Sequence, residues 1–131
     1  MRMQYSDSLR DHFENPRYVG RLDPNSPDIG MAVVGRRDTG GVLALHIQVD
    51  DEGFIQDTRF QAYGPPALIA AASWLADNIR GRGLEQAESV SQQDIADALT
   101  LPSARIYCAL LAEDAIRGAI KNFKDKQRAY V

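Results

Sequence analysis

The chain reads as an α+β sandwich, a three-stranded antiparallel sheet with helices packed on one face. Three observations predict it: a helical stripe near the start, three consecutive strand-like stretches between residues 31 and 63, and helical spacing through nearly everything after residue 66. Strands follow strands and helices follow helices, which is the order of an α+β fold rather than of an alternating parallel one. With 131 residues, a single domain spanning 1–131 can enclose a core without disulfides or a structural metal.

Tyr5, Leu9 and Phe13 recur at four-residue steps and predict a short first helix. Asn15 and Pro16 end it, because a residue before proline resists helical dihedrals. His12 lies beside that stripe and reads as a hydrogen-bonded packing histidine rather than a ligand. Residues 15–30 are dense in Pro, Gly, Asn and Asp and read as a surface loop. A first strand follows over 31–35, turn chemistry over 36–41, and a second strand over 42–49 with Leu43, Leu45, Ile47 and Val49 on one face. His46 and Gln48 fall on the other face, so His46 is expected to be solvated. A hairpin turn over 50–53 brings the chain back as a third strand over 54–63, with poorer alternation.

Gly64, Pro65 and Pro66 stop that strand, and helical spacing resumes over 67–79 through Leu68, Ala72, Leu75, Ala76 and Ile79, with Trp74 at the margin. A turn over 80–83 leads to a brief helical stretch over 84–87. Ser91, three residues before Asp94, opens another short helix ending near Leu99. Pro102 and Ser103 supply the start signal of the last helix, expected to begin near Ser103. Along it Ala112, Ile116, Ala119, Ile120 and Phe123 share a core face, while Glu113, Arg117, Lys121 and Lys124 lie opposite. Its first two turns leave no broad polar face and must be covered by the fold or by a partner.

A formal charge of −3 and no long basic run argue against nucleic-acid binding, Arg36 and Arg37 being too few. The one cysteine excludes an internal disulfide and any metal site built from several cysteines of one chain. The first residues lack the apolar stretch of a signal peptide, and no segment is long and apolar enough to span a bilayer, so the expectation is a cytoplasmic protein with no membrane partner. No Ser-His-Asp set, phosphate loop or pair of placed carboxylates appears, so no catalytic residue and no enzyme are expected.

Cys108 lies close to the start of the last helix, where the macrodipole favours a thiolate. The competing reading is a small buried hydrophobe, because free cysteine is among the most buried residue types. Three connections are candidates to share one edge of the fold: the turn over 36–41, the junction over 64–67, and the helix start around Tyr107 and Cys108. Of their residues Thr39, Gly41, Pro65, Pro66 and Tyr107 are poor metal donors, which leaves Asp38 and Cys108 as the only good ones.

Three long motifs carry a resemblance: YSDSLRDHFENPRYVG, DDEGFIQDTRFQAYG and CALLAEDAIRGAIKNFK, in this order and spacing. Over residues 5–126 the chain resembles the IscU type iron-sulfur cluster scaffolds, which include the N-terminal domain of NifU. The resemblance implies the same sandwich and implies that the three connections form a cluster-assembly site. Members build a 2Fe-2S cluster on three cysteines, helped by an aspartate and a histidine, with sulfur from a cysteine desulfurase. At the matching positions this chain has Thr39 and Pro65 for the first two cysteines, Gly41 for the aspartate and Tyr107 for the histidine, and retains only Cys108. LPSAR resembles the family's LPPVK chaperone motif: Leu101 and Pro102 match, while Ser103, Ala104 and Arg105 depart from it, which works against chaperone binding.

The resemblance therefore implies a scaffold-like protein that binds a cysteine desulfurase and other cluster-assembly proteins as an adaptor or regulator. No cofactor is expected on the isolated monomer. The alternatives are a persulfide carrier acting through Cys108, or a scaffold holding iron or a 2Fe-2S cluster with ligands, Asp38 among them, from a second subunit of a homodimer or from external thiols.

Overall fold

The computed structural model describes residues 5–129. Its elements follow the predicted order: helix α1 (Asp7–Glu14), strands β1 (Ile29–Arg36), β2 (Gly41–Val49) and β3 (Ile55–Tyr63), then helices α2 (Pro66–Asn78), α3 (Leu84–Glu88), α4 (Gln92–Leu99) and α5 (Ile106–Ala129). The strands pair antiparallel in the order β1-β2-β3. Leu43, Leu45 and Ile47 of β2 stand opposite Val34, Ala32 and Gly30 of β1 on the inner face. That face receives α2 and α5: Thr58, opposite Ile47, donates its hydroxyl to the Ala76 carbonyl at 2.8 Å, and Gly118 of α5 lies over Ala32. The helices therefore sit on one face.

Gly30 sets how closely α5 packs. A Cβ there would stand 2.3 Å from the Ala119 carbonyl oxygen, so only glycine lets helix and strand backbones approach to this degree. The α1 layer is pinned to α2 through His12, as expected for a packing histidine. Ser73 Oγ accepts the Arg17 backbone N–H at 2.9 Å and is hydrogen-bonded to His12 Nδ1 at 2.8 Å.

Several expectations are corrected. β1 begins at Ile29, inside the stretch expected to be loop, because β2 extends far enough for Gln48 and Ile47 to pair Ile29 and Gly30. The weak alternation of β3 has a bulge behind it. Gln48 pairs Asp57 while Val49 pairs Ile55, so one extra residue on β3 reverses its in-out parity. The last helix does not begin at Ser103. With Pro102 extended, Ser103–Arg105 form a 3-10 turn closed by the Arg105 N–H on the Pro102 carbonyl at 2.8 Å, and α5 begins at Ile106. Glu113 is buried rather than solvated: it accepts the Gln92 N–H at 3.2 Å, placing a carboxylate at the start of α4, and pairs with Arg117 at 3.3 Å.

His46 is the largest correction. Only 1% of it is exposed, and neither ring nitrogen has a hydrogen-bond partner among the described residues. The expectation failed because the outer face of the sheet is strapped at this end. The chain leaves the free edge of β3, where Val19 bridges Phe60, and crosses to β1 at the opposite edge. On the way Gly20 lies against the Arg59 side chain and Asp28 accepts from Gln48 Nε2 at 2.9 Å, both on the outer face. Burial, then the charges of Arg21 and Lys126, hold the imidazole below the usual histidine range.

Lys126, near the end of α5, fastens the strap: its ammonium donates to the carbonyls of Pro24, Ser26 (3.2 Å) and Ile29 (2.7 Å), and Gln127 donates to Pro27 at 2.7 Å. Charged donors make the stronger hydrogen bonds. Replacing Lys126 by alanine should therefore cost about 2 kcal/mol in denaturant unfolding; a loss within error of zero would mean that the strap holds without it.

A second expected outcome concerns pH. Because folded His46 is held below the usual histidine range, the unfolded chain takes up its proton first as the pH falls below about 6.5. The His46 contribution is complete above that pH and is lost as the pH falls through the lowered folded value. The variant His46→Leu should flatten the decline in unfolding free energy between pH 7.5 and 5.5. An unchanged slope would assign the decline elsewhere.

Candidate functional site

The three connections do meet. Between β1 and β2 the chain forms a 3-10 turn over Arg37–Thr39 and then passes through Gly40 and Gly41 at φ +116° and +142°. A Cβ on Gly64, the residue after β3, would stand 3.1 Å from the Gly40 carbonyl oxygen, so the first two connections abut. The third reaches them through Tyr107, whose hydroxyl donates to the Gly40 carbonyl at 3.1 Å. Pro65 stands in extended conformation at the head of α2, with Pro66 in the first helical position, where its missing N–H costs nothing.

Chemically the junction is quiet. Thr39 is exposed and turns its hydroxyl to the Arg36 carbonyl at 3.3 Å. Asp38 is also exposed and pairs with Arg36 at 3.2 Å, at the surface, where an ion pair contributes little. Cys108, in the first turn of α5, has no exposed surface. Burial pushes its thiol up to about 11, outweighing the Tyr107 hydroxyl and the Arg105 charge, which act in the opposite direction. The small buried hydrophobe is thus the reading that fits, and proximity to the helix start does not yield a thiolate. The Tyr107 hydroxyl is itself raised, by burial and then by the neighbouring thiol.

Among the described residues no three of His, Cys, Asp and Glu gather where a metal could be held. As a donor set the junction offers one buried thiol, the exposed Asp38 carboxylate paired with Arg36, an outward-facing threonine and a phenol, with no side chain at 41 and none capable of donation at 65. By themselves these groups fall short of the several thiolate or comparable ligands of a two-iron cluster. Sequence reasoning missed Leu68, whose Cδ2 fills the space beside Gly41 and Gly64; helical spacing marked it as core without revealing where it points. In the stretch over 101–105, Leu101 is buried, Pro102 and Arg105 are half-buried, and Ser103 and Ala104 are exposed.

The backbone at Gly41 is shaped for glycine. A Cβ there would lie 2.8 Å from the Tyr63 carbonyl oxygen and 2.5 Å from Leu68 Cδ2. The positive φ adds strain for any other residue. Gly41→Asp should lower unfolding free energy by about 2 kcal/mol or more, and an equally stable variant would show that the turn relaxes freely.

Residues 4–130 match the family described as NifU-like N terminal domain. The chain is 44% identical over 125 residues to the iron-sulfur cluster assembly scaffold protein IscU of Azotobacter vinelandii, covering 95% of this chain and 98% of that protein. It is 43% identical over 127 residues to the scaffold protein of the same name from Escherichia coli K12, covering 97% and 99%. Among solved structures, the N-terminal part of a nitrogen-fixing NifU-like protein from Brucella abortus superposes with a TM-score of 0.73 over 92% of this chain and 94% of that one, at 17% identity, a likeness of fold. From the family match and the near full-length identity to scaffold proteins, the chain belongs to the IscU and NifU N-terminal domain family.

Proposed function

We propose that this chain works in iron-sulfur cluster assembly as a scaffold-like adaptor or regulator that binds a cysteine desulfurase without building a cluster itself. The observation that carries the reading is the contrast between the junction and its surroundings. The junction holds a single sealed thiol, whereas clusters of this type need several thiolate or comparable ligands. Around it lies an open apolar rim: Val33 and Tyr63 are more than half exposed, and Ile106 and Leu110 stand one turn apart on the uncovered side of α5. Arg37 lies 5.0 Å from the Tyr63 ring centre, and Arg36 stands beside it in sequence. Exposed apolar groups edged by guanidinium suit a protein partner.

The carrier reading is weaker, because persulfide transfer needs an accessible thiolate and burial opposes that at Cys108. A cluster shared between two copies needs the same accessibility. Chaperone recognition through residues 101–105 is not part of the proposal, since Ser103–Arg105 are wound into a 3-10 turn instead of presenting an extended strip.

Anaerobic incubation of the purified chain with ferrous iron and sulfide should leave it colourless after desalting. Immobilised cysteine desulfurase from a bacterial cluster-assembly system should nonetheless retain it, and Leu110→Asp should weaken retention at least tenfold with the circular dichroism spectrum unchanged. A stable brown monomer would overturn the loss of assembly. Absence of desulfurase binding by the unaltered chain would overturn the adaptor role.

A further inference from the structure

The space between the three connections is filled. The Tyr107 ring lies so close to Gly40 that a Cβ on that glycine would stand 2.9 to 3.1 Å from ring carbons and the hydroxyl. The hydroxyl donates to the carbonyl of the same residue. Tyr107 is next to Cys108 in the first turn of α5, and Cys108 has no exposed surface. From the α2 side, Leu68 closes the gap between Gly41 and Gly64.

We propose that Tyr107 is a built-in stopper, whose ring and hydroxyl hold the turn over residues 37–41 shut against the start of α5 and thereby seal Cys108 from solvent. The inference rests on reading the three connections as the family's assembly site, and it adds that this site is closed as well as short of ligands. A metal with ligands on several segments ties those segments together, and its binding energy becomes folding energy. Here ring packing and one neutral hydrogen bond make a tie between the turn and the start of α5 from the chain's own groups. The thiol itself faces the core, among the buried apolar residues of the sandwich, and on this reading the adjacent phenol closes the one side of it that borders the turn.

The test is the rate at which Cys108 reacts with an aromatic disulfide reagent at pH 8, in the full-length chain under native conditions. Tyr107→Ala should react at least tenfold faster than the unaltered chain. It should also outpace a control, Ile116→Val, whose core is loosened far from the junction. Tyr107→Phe keeps the ring and loses only the tie to Gly40, and a rise of about threefold is expected; it provides the reading should the alanine variant lose its secondary structure. Folded variants reacting at the unaltered rate, or a control that matches them, would overturn the stopper. Desulfurase binding measured on the same samples reports separately on the adaptor role, because the two readouts share no step.

Discussion

The close approach of α5 to β1 is the constraint on which the rest of the structure depends. With no side chain at Gly30 and small residues at Gly118, Ala119 and Ala32, helix and strand backbones come into near contact. The position of a 24-residue rod is thereby fixed at its middle. Its first turn is delivered to the β1-β2 connection and its last turns to the strap, so one packing decision sets both the junction and the outer-face cover. Burial of Ala112, Ala115, Ile116, Ala119 and Ile120 holds that position.

The two faces of the sheet are covered by different means. The inner face is closed by hydrophobic packing, whereas the outer face is closed at one end by polar fasteners. Asp57 takes the guanidiniums of both Arg59 and Arg80, and Arg80 lies 3.8 Å from the centre of the Tyr18 ring, a cation over an aromatic face. At the other end the outer face stays bare, which is where Val33 and Tyr63 remain exposed. Covered and uncovered halves meet at His46, and its isolation among cations follows from lying just beneath the strap.

Element order, strand pairing and the helical faces were legible in the sequence because they rest on periodicity, and periodicity survives folding. What stayed hidden depends on a partner distant in the chain. His46 follows the alternation of an outward-facing residue, and nothing local announces a strap formed by residues that look like loop. Glu113 has the spacing of a solvated position, yet it serves the start of α4, some twenty residues earlier. The bulge in β3 was visible only as imperfect alternation. At the junction, the family pattern identified which positions had changed, but the direction of the Tyr107 phenol and the closure by Leu68 come from backbone geometry that residue types alone do not encode. The helix-start position of Cys108 was legible, but not that its side chain faces the core, where burial disfavours the thiolate.

The fastening of the strap has a consequence for how the protein reaches its final form. Lys126 and Ser26 are separated by 100 positions. A ribosome releases the strap and all three strands well before it releases the ammonium that ties them down. Until then, the strap is held to the sheet only by its own contacts, among them the Val19–Phe60 bridge and the Gln48–Asp28 bond. This fastening therefore comes with nearly the last turn of the last helix, so that a bond between early and late portions of the polypeptide is among the last to form.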